Sequence, residues 1–266
     1  MKKLLVLSIS HVLFVLPLAF PSYSSQVSSK IQQIIVFDLG GVLLKEPSKN
    51  VFSLLTTKLG KEIRSDELPS LFTLTFKVAT YLFNQDCQKN WFLGTMSGYE
   101  LVSKIKEALS TPHCDFLFKN TLEKSIVYHG AELFLLPENN AQLTSLDNEG
   151  LLFVKKCKKN TIKLMILSNW EPQAFLLIKN KFPELFQLFN DEDILIAADT
   201  GSIKPDPEIF KYFLNKISAT SSSQIFFVDD SLTNIASAKK HGIISVLHRN
   251  WAQTEQELIR LGLQLT

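Results

Sequence analysis

Short, almost uninterrupted apolar runs recur along this chain and alternate with longer segments whose apolar residues return every three or four positions. The apolar runs lie at 34–37, 162–167, 194–197, 225–228 and 243–247. Such runs predict strands that are buried on both faces, as in a parallel sheet. The longer segments predict helices at 140–159, 172–181, 207–217 and 233–241.

The alternation of strands and helices predicts an α/β fold built on a doubly wound parallel sheet. The segment 47–135 departs from this alternation, because it shows only helix-like spacing, at 51–59, 67–83, 99–109 and 115–128. We therefore expect an α/β core formed by 30–46 and 136–266. Within this fold, 47–135 is a helical insert that follows the first strand.

Composition and charge narrow the classes of function. The chain has 266 residues and is 45% hydrophobic, which is enough for a substantial buried core. Charged residues make up 20% without a long run of one sign, which argues against a disordered chain or a nucleic-acid-binding arm. The formal net charge of +2 gives no reason to expect a nucleic-acid partner.

The first 25 residues have the pattern of a secretory signal peptide. Lys2 and Lys3 precede a mostly apolar stretch at 4–20, and Ser22-Tyr23-Ser24 supplies small residues at a cleavage site. We expect export to the periplasm or the medium, with no stable membrane association after cleavage. An uncleaved membrane anchor and a cytoplasmic protein are the alternatives, although the stretch is short for a membrane span.

Polar side chains stand at the carboxyl ends of the predicted strands, which is where open α/β sheets bind their ligands. They are Asp38, Ser168, Asn169, Lys204, Asp229 and Asp230. Buried carboxylates need a cation or a hydrogen-bonded partner to be stable. These side chains are therefore expected to form one site.

Carboxylates gathered in this way favour Mg²⁺, a cation that binds oxygen ligands and phosphate. Beside such an ion, Asp38 can attack phosphorus as a nucleophile and form an aspartyl-phosphate. Lys204 can balance charge on the phosphoryl oxygens and hold Asp38 ionised, while Ser168 and Asn169 can hydrogen-bond these oxygens. The expected substrate is a small phosphorylated metabolite, and Gly41 allows the backbone to approach its phosphate closely.

Four segments resemble the motifs of the haloacid dehalogenase superfamily, in the order in which that superfamily carries them. They are 37–43, 167–169, 204–210 and 228–231 followed by Asn234, Ala238 and Gly242. The resemblance implies a Rossmann-like core, and the helical insert is similar to the first class of caps in that superfamily. It also implies Mg²⁺ ligands at Asp38, the main-chain carbonyl of Gly40 and Asp230, with Asp229 nearby.

One position departs from the pattern of the superfamily's phosphatases, which carry a second Asp two residues after the nucleophile. Gly40 stands there in this chain and has no side chain with which to protonate a leaving group. General acid–base help is typically worth about 10²–10⁴-fold in rate. Three consequences remain open: a substitute group or water, a good leaving group such as an acyl phosphate or a sugar 1-phosphate, or slow turnover.

Two further functions compete with a phosphatase. A metal-independent dehalogenase would share the scaffold and would also lack the second Asp, although the pair Asp229-Asp230 favours a metal. A catalytically weak binding protein would keep the fold without the chemistry. Trp170 directly follows the second motif, and the sequence predicts equally a contact with substrate and a place in the core.

Overall fold

The computed structural model describes residues 32–45, 85–112, 121–217 and 223–265, together with residues 55, 57 and 118. Five parallel strands form the central sheet in the order β5-β4-β1-β6-β7. Their bounds are β1 Gln33–Phe37, β4 Lys163–Ser168, β5 Ile194–Ile196, β6 Gln224–Asp229 and β7 Ile244–Leu247. The predicted parallel α/β sheet is thus confirmed.

Helices flank this sheet and also occupy the insert. The helices are α1 Gln85–Phe92, α2 Gly98–Ser110, α3 Thr121–Leu135, α4 Pro137–Leu143, α5 Asn148–Lys159, α6 Pro172–Lys181, α7 Pro183–Phe186, α8 Ala197–Thr200, α9 Pro207–Ile217, α10 Leu232–Lys240 and α11 Trp251–Arg260. Helices α6 and α9 begin and end where the spacing predicts. Among the described residues, none of the helices is long and apolar enough to cross a bilayer.

The sheet is buried on both faces because each strand sends successive side chains to opposite sides. In β1, Ile35 and Phe37 join the core that lies under α5, α6 and α11. Ile34 and Val36 join the core under α9 and α10. The apolar runs therefore lack a polar face, and β1 lies at the centre of a sheet covered on both sides.

A short two-stranded ladder closes off the helical segment. Strands β2 Leu44–Lys45 and β3 Ser145–Leu146 pair antiparallel, on either side of the segment that contains α1 to α4. The ladder makes the predicted continuous helix at 140–159 wrong. Asp147 accepts a hydrogen bond from Gly150 N at 2.8 Å and starts α5 anew, which separates α5 from α4.

The described part of the insert is helical. Helices α2 and α3 pack through Ile105, Leu109, Val127 and Ala131. The predicted helix at 99–109 corresponds to α2, and α3 begins later than the predicted start at residue 115. Most of the predicted helix at 51–59 and all of that at 67–83 lie outside the described residues, as does the predicted signal peptide.

Candidate active site

Four chain segments meet at the carboxyl edge of the central strands. Asp38 follows β1, Ser168 ends β4 and Asp229 ends β6. Because β4 and β6 flank β1 in a parallel sheet, these strand ends lie side by side. Lys204 comes from the loop between α8 and α9, which follow β5 in the chain.

Asp38 is held by three donors that all meet one of its carboxylate oxygens. Oδ1 accepts hydrogen bonds from Leu39 N at 2.8 Å and Ser168 Oγ at 2.6 Å, and it lies 2.9 Å from Lys204 Nζ. The residue is 8% exposed, so little solvent competes with these contacts. The carboxylate therefore has one fixed orientation.

Lys204 lies between two buried carboxylates. Its Nζ is 2.9 Å from Asp38 Oδ1 and 2.7 Å from Asp229 Oδ2, and it lies 5.3 Å from the centre of the Phe227 ring. Burial opposes the positive charge, but Asp38 and Asp229 raise the pKa of Lys204 above its ordinary value. Lys204 is therefore a fixed positive charge in the site.

The ionisation of Asp38 reflects opposing influences. Burial raises its pKa, the positive charge of Lys204 lowers it, and the negative charge of Asp229 raises it again. Lys204 thus favours the ionised form of Asp38, as the sequence predicts. However, burial has the larger effect, and the pKa of Asp38 lies above its ordinary value.

Both carboxylate oxygens of Asp229 accept hydrogen bonds within the protein. Oδ1 accepts from Ser231 N at 2.8 Å, and Asn234 Nδ2 donates to Oδ1 and Oδ2 at 3.0 and 3.1 Å. Lys204 Nζ donates to Oδ2. Asp229 therefore holds Lys204 and the start of α10, and a direct bond to a metal would compete with these donors.

The acids can hold a divalent cation. Carboxylate oxygens of Asp38, Asp229 and Asp230 lie within 4.8 Å of one another, and Asp230 is exposed where the other two are buried. Lys204 lies against two of these carboxylates and offsets part of their negative charge. Hard oxygen ligands of this kind fit Mg²⁺, and Asp38 and Asp230 are the pair expected to bind it.

Two glycines shape the turn after β1. Gly41 has a φ of +71°, and a Cβ built there would overlap the carboxylate of Asp230. The peptide between Gly40 and Gly41 therefore runs beside Asp230, where the carbonyl of Gly40 is expected to bind metal. A Cβ at Gly40 would lie 3.4 Å from Cζ3 of Trp170, so the indole covers the position of the missing acid.

Replacing Gly41 with Ala is expected to weaken Mg²⁺ binding by about 10-fold or more, because the new methyl group displaces the carboxylate of Asp230. The measurement is Mg²⁺ titration by calorimetry. Gly242→Ala is the matched control, since Gly242 has a φ of +77° but a Cβ there meets nothing within 4 Å. Equal Mg²⁺ affinities in the two variants would contradict a cation site beside Gly41.

The side chains predicted to bind phosphoryl oxygens make contacts within the protein. Ser168 Oγ donates to Asp38. Asn169 Nδ2 donates to Lys204 O at 2.8 Å, and Lys204 N donates to Asn169 Oδ1 at 2.8 Å. Trp170 is half-buried and packs against the core. The sequence analysis named Asn234 only as part of the fourth motif and assigned it no contact. Its place in the first turn of the helix after Asp229 is the signal that could have found one.

The insert touches the core beside this site. Lys89 Nζ of α1 lies 3.2 Å from Asp206 Oδ2, two residues after Lys204. Gly94, after α1, lies so close to Pro172 that a Cβ would be 2.9 Å from its Cγ. Pro172 begins α6, which follows Trp170. These two contacts of the insert therefore fall beside the loops that carry Asn169 and Lys204.

A family model identifies the family to which the chain belongs. A family model described as a haloacid dehalogenase-like hydrolase matches residues 32–242. Drimenol cyclase drtB of Aspergillus calidoustus is 28% identical over 131 residues, which are 49% of this chain and 24% of that protein. Bifunctional epoxide hydrolase 2 of Rattus norvegicus is 30% identical over 104 residues, 38% of this chain and 18% of that protein. The chain thus matches a quarter or less of these relatives.

Solved structures share the fold at low identity. A HAD family enzyme from Bacteroides thetaiotaomicron, in complex with magnesium and inorganic phosphate, has a TM-score of 0.51 at 20% identity, over 84% of this chain and 98% of that one. The putative HAD-hydrolase YfnB of Bacillus subtilis, bound to magnesium, has a TM-score of 0.52 at 17% identity, over 82% and 88%. A dehalogenase has a TM-score of 0.50 at 19% identity, over 82% and 85%.

Proposed function

The chain belongs to the haloacid dehalogenase-like hydrolases, and on this basis we propose that it hydrolyses phosphate monoesters of small metabolites with Mg²⁺ as cofactor. The observation that carries the proposal is the carboxylate of Asp38, which three donors orient beside two further acids. A metal-independent dehalogenase could use Asp229 to hold Lys204, but it has no cation for which Asp230 would serve as a ligand. The complex of the Bacteroides enzyme with magnesium and inorganic phosphate supports the proposal of a magnesium-dependent phosphatase.

Asp38 and Asp230 would hold the cation, together with the carbonyl of Gly40. Bound there, Mg²⁺ would neutralise charge on the carboxylate and the phosphate, so that the two anions can meet. A nearby cation also stabilises the ionised form of Asp38 against the burial that raises its pKa. Mg²⁺ bound there would therefore help to present Asp38 as an ionised nucleophile.

Catalysis begins with attack of an Asp38 oxygen on phosphorus. The new bond joins Asp38 to the phosphoryl group, and the bond from phosphorus to the leaving oxygen breaks with both its electrons. Water then attacks phosphorus, the bond from phosphorus to the Asp38 oxygen breaks, and its electrons restore the carboxylate. Inorganic phosphate leaves with the oxygen of the water, and the proton passes to phosphate or solvent. Lys204 stands at 2.9 Å from Asp38 and stabilises the negative charge on the phosphoryl oxygens in both steps.

The leaving oxygen must gain a proton or depart as an anion. Gly40 offers no acid, and the ring of Trp170 lies against it. We therefore propose that substrates with good leaving groups, such as acyl phosphates and sugar 1-phosphates, react fastest, with water supplying any proton. Trp170 would form an apolar wall beside the leaving group.

A phosphate-release screen tests this function. Sugar phosphates, nucleotides and acyl phosphates are supplied with Mg²⁺ or with EDTA. We expect release with Mg²⁺ and a loss of about 10²-fold or more in EDTA, because the clustered carboxylates of Asp38, Asp229 and Asp230 repel phosphate without the cation. Restoring Mg²⁺ is the control. Halide release from 2-haloacids that survives EDTA would instead establish a dehalogenase, and no turnover of either class would favour a binding protein.

A further inference from the structure

The amide of Asn169 pairs with the main chain of Lys204 at both ends. Nδ2 donates to Lys204 O at 2.8 Å, and Oδ1 accepts from Lys204 N at 2.8 Å. Both partners belong to one residue, 35 positions further along the chain. Asn169 thus holds the backbone of Lys204 as a neighbouring strand would, at the position where β4 has just ended.

A side chain of α10 also holds this segment of the backbone. Ser237 is buried, and its Oγ donates to Pro205 O at 2.7 Å. Within the loop, Asp206 N donates to Ile203 O at 2.8 Å. Two side chains from separate elements therefore fix the segment that carries Lys204. In the hydrogen bonds described above, neither of them contacts Asp38.

Lys204 depends on such anchoring. Its side chain is a flexible stem that carries a point charge, and Nζ must lie within hydrogen-bond distance of both Asp38 and Asp229. A shift of the backbone would carry Nζ away from one of these carboxylates. The charge would then no longer sit where the phosphoryl oxygens arrive.

We propose that Asn169 and Ser237 are positioning residues that act through Lys204, by fixing its backbone so that Nζ reaches Asp38. This inference rests on the proposed phosphatase function. It replaces the direct contact with phosphate that the sequence predicts for the Asn169 side chain. Asn169 then contributes to the rate of the chemical step and not to the binding of substrate.

Kinetics of Asn169→Ala test this role. We expect kcat to fall by about 10- to 100-fold, the scale of a displaced catalytic group, with KM changed by about twofold at most. Ser237→Ala should act in the same direction. Asn160→Ala is the matched control, because Asn160 also hydrogen-bonds a main-chain carbonyl but lies at the end of α5. A raised KM with unchanged kcat would overturn the proposal.

A double-mutant cycle separates action through Lys204 from independent action. In a Lys204→Met background, Asn169→Ala should cause no further loss, because the residue it positions is already gone. A further loss of about 10-fold or more in that background would overturn the proposal. Substrates chosen for fast turnover keep the Lys204→Met rate measurable.

Hydrogen exchange tests the anchor without relying on activity. The main-chain amide of Lys204 donates to Asn169 Oδ1, so Asn169→Ala should speed its exchange by about 10-fold or more while Asn160→Ala leaves it unchanged. Unchanged exchange in Asn169→Ala would overturn the anchor. If the wild type releases no phosphate, the proposed function fails, but the exchange result still decides whether Asn169 holds Lys204.

Discussion

Replacing Asp38 with Asn is expected to abolish phosphate release while the protein stays folded. An amide of the same shape cannot attack phosphorus, and removing a nucleophile can cost up to about 10⁶-fold in kcat. The fold survives because Lys204 keeps its 2.7 Å contact with Asp229 and the variant buries one charge fewer. Steady-state phosphate release and thermal unfolding followed by circular dichroism measure the two effects.

Asp191→Asn is the matched control for this variant. The Asp191 side chain is 86% exposed and contacts Lys179 at the surface, so its replacement should leave turnover within about twofold. Turnover of Asp38→Asn within about 10-fold of wild type would exclude Asp38 as the nucleophile. A collapse of the fold in Asp38→Asn would instead assign this residue a structural role.

Lys204→Met is expected to lower both stability and turnover. Asp38 and Asp229 would remain buried without their shared cation, and breaking a buried ion pair in this way costs about 3–5 kcal/mol. Turnover should fall by about 10²–10³-fold, because the charge that stabilises the phosphoryl oxygens is lost. Urea unfolding in EDTA and the phosphate-release assay measure the two losses.

The loss of stability in Lys204→Met should depend on pH. Lys204 lowers the pKa of Asp38 against burial more than the hydrogen bond from Ser168 does, so in the variant that pKa lies further above the ordinary value of 3.8. A carboxyl whose pKa is raised on folding destabilises the protein above its unfolded-state pKa, and the cost is relieved as pH falls. The difference in unfolding free energy between wild type and Lys204→Met should therefore become smaller from about pH 7 to about pH 5.

Lys211→Met is the control for the loss of a lysine. The side chain of Lys211 is 56% exposed and pairs with Glu208 on α9, so its removal should cost less than about 1 kcal/mol at either pH. A loss of unfolding free energy below about 1 kcal/mol in Lys204→Met would show that Lys204 is not needed to balance the buried acids. A large loss of unfolding free energy that does not change with pH would show that removing Lys204 acts through packing alone.

The sequence predicted the central sheet because its strands have no polar face. The runs that became β1 and β4 to β7 are apolar throughout or nearly so, a property that depends only on local pattern. The break between α4 and α5 was missed because it depends on a distant partner. Ser145 and Leu146 pair with Lys45 and Leu44, about a hundred residues earlier. The local spacing of apolar residues does not indicate that pairing.

The gathering of the acids was also predictable, because parallel strands end at one edge. Asp38 and Asp229 follow adjacent strands β1 and β6, and the structure brings their carboxylates together with that of Asp230. The orientation of the Asn169 amide was not predictable. It is decided by the main chain of Lys204, which lies 35 positions further along the chain. A residue type at a strand end thus indicates a site but not its partner.

The central claim is that Asp38 takes the phosphoryl group from the substrate. Its most direct test is a single-turnover reaction with Mg²⁺ and an acyl phosphate, quenched in acid and analysed by peptide mass spectrometry. We predict a phosphoryl group on the peptide that contains Asp38, and its absence from the same peptide of Asp38→Asn. Full release of phosphate with no phosphorylated peptide at any time, or with the phosphoryl group on another residue, would contradict the claim.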